Sequence, residues 1–244
     1  FQILLNKLDK NILNQQSQHW EINFSNKPEM FGLEPSESAR HAKEIFENQK
    51  VKTFFSGKKI DILELGAGLG RDTTYFAANS NLIQVTALDY SSEAIKNINQ
   101  KKKEYYSDPT MPDGRSAADK ITTKVWDVRN GIPYKDNSFD GCYSHMLYCM
   151  ALTTSEIIKL NEEVHRILKP GGINIFTVRH TGDGDYKRGK HIGEDLYEND
   201  GFIVHFFDKE KINQISKGFK IEDIFELHEG SFPRKLFVVT LRKK

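Results

Sequence analysis

The chain has almost no cysteine, no long apolar run and no surplus of either charge, and each shortage excludes something. Cys142 and Cys149 are the only cysteines in 244 residues. Two are too few for a disulfide framework and fit a reducing compartment. No run of about 18 apolar residues occurs, so no membrane-spanning helix is expected. Lys and Arg number 35 against 34 Asp and Glu, a net charge of +1. That balance offers no general attraction for a polyanion. The N-terminal region carries only short apolar clusters broken by Asn, Lys and Asp, unlike a secretory signal. A cytoplasmic protein with neither membrane nor nucleic-acid partner is the expectation. Its length suits one large α/β domain, as a monomer or homodimer.

What is present concentrates between Ile60 and Asp89. The run IDILEL is an apolar strand, Gly66-Ala67-Gly68-Leu69-Gly70 a glycine turn, the residues from Gly70 a helix start, and IQVTALD a second strand ending in an acid. This is the first half of a nucleotide-binding βαβ unit. Glycine lets the backbone turn sharply and lets a ligand lie against it, and the helix points its N-terminus at the same place. A dinucleotide fingerprint wants its third glycine at position 71, which is Arg71. Glu64 and Asp72 flank the turn and would repel a pyrophosphate, each contact costing on the order of a kcal/mol or more. A ligand bearing an ammonium and a sulfonium is attracted instead. Asp89 is placed to accept hydrogen bonds from a ribose diol.

ILELGAGLG followed by ALDYS resembles the first two motifs of the class I S-adenosylmethionine-dependent methyltransferases. PY-x-x-NSFD-x-x-x-S at 133–144 and LKPGG at 168–172 resemble later motifs of the same family. The resemblance covers about residues 18 to 241. It implies a doubly wound, Rossmann-like α/β fold: a mostly parallel seven-stranded sheet, an antiparallel C-terminal hairpin strand, and helices on both faces. It also implies S-adenosyl-L-methionine as cofactor and methyl transfer to a small-molecule acceptor. The implied cofactor contacts are Glu64, Gly66, Ala67, Gly68, Asp72, Asp89, Tyr90, Asp127, Val128 and Ser144. Asp127 would bond the adenine amino group, and the backbone of Val128 would serve the ring. No metal ligand set is expected.

Along the chain, Phe1, Leu4, Leu5, Leu8 and Ile12 share one helical face. Trp20, Phe31 and Pro35 sit in a segment that in many small-molecule members folds over the cofactor, so residues 1–35 form an N-terminal helix and lid and 36–244 the methyltransferase domain. Ser36 is the expected N-cap of a helix from Ala39 to Asn48, and Ser91 or Ser92 of one reaching Tyr106. Residues 107 to 119 read as a surface loop. Ile121 to Val125 and Gly141 to Ser144 are strands. Thr154 is the expected cap of the next helix, LKPGG its terminating turn, and Ile173 to Val178 a buried strand.

The acceptor side is expected at the carboxyl edge of the sheet. His145 and Tyr148 follow the fourth strand there. Residues 179–205 are polar and glycine-rich, too long for an idle connection, and read as a flexible substrate loop. Arg179 and Arg188 could hold an oxyanion or carboxylate, with His145 a further substrate contact. His180, His205 and Tyr148 are the candidates for orienting or deprotonating the acceptor. Phe219 to Leu227 and Leu236 to Leu241 read as the closing strands. Competing readings are a non-catalytic S-adenosylmethionine-binding subunit and, against Arg71 and the flanking acids, an NAD-type oxidoreductase. The Asn/Asp-Pro-Pro-Tyr/Phe run of nucleic-acid amino methylation is replaced by Ser144-His145-Met146-Leu147.

Overall fold

The computed structural model describes residues 2–52, 59–105, 116–230 and 234–244, and within them all side chains except those of 2–10, 12–14, 49–52 and 104–105. The apolar face of Leu4, Leu5, Leu8 and Ile12 and the loop at 107–115 lie outside the described residues.

In chain order the elements are α1 (Gln2–Asn26), α2 (Glu37–Lys52), β1 (Ile60–Leu65), α3 (Arg71–Ala78), β2 (Ile83–Asp89), α4 (Ser92–Tyr105), β3 (Ile121–Val125) and β4 (Phe139–Ser144). Then come α5 (Thr154–Ile167), β5 (Leu168–Arg179), β6 (Lys190–Gly193), β7 (Leu196–Asn199), β8 (Phe202–His205), α6 (Lys209–Ile215), β9 (Phe219–Glu229) and β10 (Arg234–Lys243). A seven-stranded sheet runs β3-β2-β1-β4-β5-β10-β9, and β6-β7-β8 form a separate three-stranded sheet. β1 through β5 pair in parallel. β10 pairs antiparallel with both neighbours, β5 and β9. The strand order reverses at β1 and β4, which opens a crevice at their carboxyl ends.

Alternation along the buried strands sends successive residues to opposite helix layers. Leu63, Leu65, Cys142, Phe176 and Val178 pack with Ile157, Leu160 and Val164 of α5 and Ile212 of α6. Ile60, Ile62, Tyr143 and Ile175 meet Ala42 and Phe46 of α2 and Phe76 of α3. Ala87 and Ile121 meet Ile95 and Ile98 of α4. Among the described residues no helix is long and apolar enough to cross a membrane.

The first helix runs on past the expected apolar face to Asn26 and carries Trp20. Two expectations need correcting. The cap of α5 is Thr153, not Thr154: Thr153 Oγ1 accepts from the Glu156 amide while the Glu156 carboxylate accepts from the Thr153 amide, a reciprocal capping box. LKPGG ends no helix, because α5 stops at Ile167 and residues 168–172 already belong to β5. Two caps are as expected: Ser36 Oγ accepts from the Ala39 amide and Ser91 Oγ from the Ala94 amide.

Residues 179–205 are no open loop. Their core is the small antiparallel sheet, whose β7–β8 turn, Asp200-Gly201, has φ of 49° and 84°. Positive φ at both central residues is the two-residue hairpin geometry that Asp-Gly favours.

Candidate active site

The glycine turn leaves β1 at the crevice. Gly66, Gly68 and Gly70 all have left-handed φ, 67°, 52° and 79°. Their missing side chains serve different neighbours. A Cβ on Gly70 would meet Ile98 Cγ1 at 2.5 Å and one on Gly66 would meet Leu147 at 3.1 Å, whereas one on Gly68 would find only Phe24 at 3.8 Å. Gly70 therefore seats α4, Gly66 seats the segment after β4, and Gly68 faces the space beneath α1.

Three buried carboxylates surround this turn. Asp89 accepts from the Gly68 amide at 2.8 Å and the Ser91 amide at 2.9 Å. Burial pushes its pKa up to about 6 despite those two bonds. Glu64 accepts from Thr73 Oγ1 at 2.5 Å. Burial and then the Asp72 carboxylate push Glu64 well above the usual range. Asp72 is better served, accepting from the Ser36 amide and hydroxyl, both at 2.7 Å, and from the Tyr143 hydroxyl at 3.0 Å. Buried acids with raised pKa in a crevice, here Glu64 and Asp89, are candidates for a ligand's polar or cationic groups.

Arg71 does not fill the third-glycine role. Its guanidinium donates to Phe31 O at 3.2 Å and Glu229 at 3.1 Å. Beyond the second strand, the Trp126 amide donates to Asp89 O at 2.8 Å, which brings residues 126–128 to the crevice. The half-exposed Asp127 is gripped by Arg129 through Nε and Nη2 and caps the short 128–130 turn. Tyr90 is largely buried, and burial, with Asp89, raises its phenol. Ser144, at the end of β4, has a fully buried Oγ with no hydrogen-bond partner among the described residues. An orphaned buried hydroxyl at a sheet's carboxyl edge has a hydrogen bond left to make. The open face of Gly68, the uncompensated acids and that hydroxyl fit an adenosyl sulfonium with an amino-acid tail.

Residues 63–176 match the methyltransferase domain family. Over that stretch the chain resembles a methyltransferase domain. The chain is 27% identical over an alignment of 231 residues, which covers 86% of it, to a tRNA(Thr) (cytosine(32)-N(3))-methyltransferase of Saccharomyces cerevisiae. It is 26% identical over 143 residues, 58% of its length, to a 24-methylenesterol C-methyltransferase 2 of Arabidopsis thaliana. The chain spans about a third of the length of these curated relatives, 32% and 35%. Among solved structures, a Burkholderia thailandensis 1,6-didemethyltoxoflavin-N1-methyltransferase with bound 1,6-didemethyltoxoflavin and S-adenosylhomocysteine superposes with a TM-score of 0.68 at 17% identity, covering 96% of this chain and 90% of that one.

On the expected acceptor side, the protein holds most of the polar residues in internal networks. The edge after β4 turns through Met146, whose φ is 60°, and the Met146 amide donates to Thr177 Oγ1 at 2.8 Å. A positive φ outside glycine is a strained conformation that neighbours must hold. His145 sits 3.2 Å from Glu229, and its Nδ1 lies 3.0 Å from Ser38 Oγ and 3.1 Å from Thr177 Oγ1. A carboxylate only accepts, so Nε2 carries the proton and Nδ1 accepts from a hydroxyl. Burial works against the Glu229 carboxylate, but the His145 bond and Arg71 bring it down to about 2.

Tyr148 is fully buried, stacked on Phe176 at 4.3 Å, with its hydroxyl donating to Asn161 at 3.1 Å and accepting from Asn174 at 3.2 Å. Arg179 is buried against Asp183 and also donates to Asp185 at 2.7 Å. His205 is fully buried. Its Nδ1 donates to Leu152 O at 2.7 Å and its Nε2 accepts from Lys211 Nζ at 2.7 Å, which also donates to Asp195. Burial and then the Lys211 charge lower His205 to about 4, so the ring is neutral. His180 stacks on Phe237 at 4.4 Å, and its Nδ1 accepts from the Gly182 amide at 3.0 Å. Its Nε2 is buried with no partner among the described residues. Arg188 is exposed on the turn before β6. The residues of 179–205 are thus brought together as a scaffold, while Glu64, Asp72 and Asp89, among the residues expected to touch the cofactor, gather at the turn.

Sequence reasoning missed Glu229, Lys211, Asp195 and the contacts of α1. The Asp-Gly at 200–201 was the available signal for β7 and β8; the others depend on pairings far apart in the chain.

Proposed function

We propose that this protein binds S-adenosylmethionine at the Gly66–Gly70 turn and transfers its methyl group to a small-molecule acceptor. The observation that carries the reading is the set of buried carboxylates around an open glycine backbone, two of them, Glu64 and Asp89, with raised pKa. A cationic ligand relieves what burial imposes on them. In this reading Asp89 holds the ribose diol, Asp127 and the Val128 backbone take the adenine, and Ser144 meets the ligand near the reacting edge. Bound there, the cofactor supplies an electrophilic methyl on sulfur that an acceptor lone pair displaces in line. The reaction quenches charge, so the chain's main task is to align the two reactants and exclude water, and alignment can lower the barrier by about 7–11 kcal/mol.

A compact acceptor is supported by the cover over the turn. Trp20 lies 5.0 Å from Phe202 and 5.3 Å from Phe24, which stands over Gly68. His180, whose Nε2–H lacks a partner, orients the acceptor rather than taking its proton, since Nδ1 is already an acceptor. Tyr148 and His205 act as positioning residues, their polar atoms being satisfied within the fold. Arg188 is the guanidinium left exposed for an anionic acceptor group.

A second reading, a nucleotide base in tRNA as acceptor, is favoured by the match to the yeast enzyme over 86% of this chain. Both are tested together. Calorimetric titration should give saturable binding of S-adenosylmethionine and none of NADH. Methyl-labelled cofactor is then offered with thiols, chalcogen oxyanions, amines and carboxylates, and separately with bulk tRNA. Label entering a small molecule is expected. Label entering only tRNA overturns the small-molecule reading, and tight NADH binding without a response to S-adenosylmethionine overturns the whole.

A further inference from the structure

Helix α1 touches both halves of the site. Near its middle, Gln16 is buried, and its amide grips the edge of β8: Nε2 donates to Gly201 O at 2.7 Å and Oε1 accepts from the Ile203 amide at 3.2 Å. That pair of bonds is what a neighbouring strand would offer a free sheet edge. His19 lies over Gly201, where a Cβ would meet its Cε1 at 2.9 Å, and packs edge-on against Phe202 at 4.4 Å. One turn further along, Glu21 reaches the opposite way. Its carboxylate accepts from Ser92 Oγ at 2.5 Å and the Glu93 amide at 3.2 Å, at the start of α4 and beside Asp89. Burial works against the Glu21 charge, but the Ser91 and Ser92 hydroxyls and those amides hold it below the usual carboxylate range. Phe24 then packs with Leu69 of the turn and Ala94 of α4. A rigid helix thus joins the β6–β8 sheet to the ribose-side end of β2 within about two turns.

We propose that α1 is a two-ended strap: Gln16 positions the β6–β8 sheet for the acceptor, Glu21 positions the cofactor turn, and occupancy at the turn is read at β8 through the helix between them. The proposal rests on the methyltransferase reading above. A ligand against Gly68 and Asp89 bears on Phe24 and Glu21, and a helix cannot shift at one end without moving Gln16 at the other. Gln16 and Glu21 are positioning residues and touch no reacting atom.

Amide hydrogen exchange on the full chain, with and without S-adenosylhomocysteine as the probe, tests the coupling. In the parent protein the probe should slow exchange at residues 66–70 and, by about tenfold, in the peptide spanning 200–205. In Gln16→Leu the slowing at 200–205 should fall below about twofold while probe affinity and the slowing at 66–70 persist. Gln16→Glu keeps the bond from Ile203 and loses the one to Gly201, so it should give an intermediate response and serves if the leucine variant fails to fold. Glu21→Gln should weaken probe binding itself. Protection at 66–70 without protection at 200–205 in the parent, or protection of 200–205 that survives both Gln16 variants, overturns the strap. Absence of any probe binding overturns the methyltransferase reading instead, and the strap with it.

Discussion

The turn at 64–89 and the insert at 179–205 are both rich in charged side chains, yet they treat charge in opposite ways. At the turn, Glu64 and Asp89 have no ion-pair partner among the described residues, and burial raises their pKa values. In the insert every buried charge has a counter-charge. Arg179 is paired with Asp183 and Asp185, and Lys211 with Asp195. Burial works against Asp183 and Asp195, yet Arg179 and Lys211 hold both below the usual carboxylate range. One region stores unmet electrostatic demand that a ligand can satisfy; the other spends its charges on holding shape. Buried groups with perturbed pKa and no internal counter-charge are better candidates for a functional site than charged groups as such.

The sharpest way to break the contrast is Arg179→Met. It leaves Asp183 buried and unpaired, which should cost about 3–5 kcal/mol of stability. Denaturant unfolding that shows no loss would mean that the insert's ion pairs are not structural. Next in size is Asp89→Asn, expected to weaken S-adenosylmethionine binding by about 1–3 kcal/mol and to remove one acid's contribution to the pH dependence of stability. The sign follows from linkage. The folded pKa of about 6 lies above the ordinary 3.8, so the folded chain binds the extra proton and stability falls as pH rises between those values. Melting curves that fail to converge for parent and variant below about pH 4 would contradict this assignment. The smallest effect is expected from Thr153→Ala, which removes the cap of α5 at about 1 kcal/mol. It should leave cofactor affinity unchanged, and a change in binding would show that the helix layer and the turn are not separable.

The same division explains what could be read in advance. The βαβ half is encoded locally, in Gly66, Gly68 and Gly70 with acids at fixed offsets, so strand, turn and cofactor class were legible from 30 residues. The doubly wound sheet was implied by the family resemblance that those motifs carry. The insert is encoded by distance. Nothing beside Gln16 announces that its amide will dock on Gly201, 185 residues away. Nor does polar, glycine-rich composition distinguish an open loop from a small sheet whose charges are paired within it. His205 shows the difficulty: an isolated histidine in an apolar run reads as a base, and only Leu152 and Lys211 reveal that both nitrogens are spoken for.

One consequence of the sheet order concerns how the molecule is assembled. β9 is synthesised before β10, yet among the described residues β10 is its one sheet neighbour and joins it to β5. Until residues 234–243 emerge, β5 presents an open edge and Glu229 has no strand to hold it near Arg71 and His145. The segment after α1 is anchored to the same place, because Arg71 also donates to Phe31 O. The crevice therefore takes its working shape only when the late hairpin slots in, so a nascent chain carries its motif long before it carries a site.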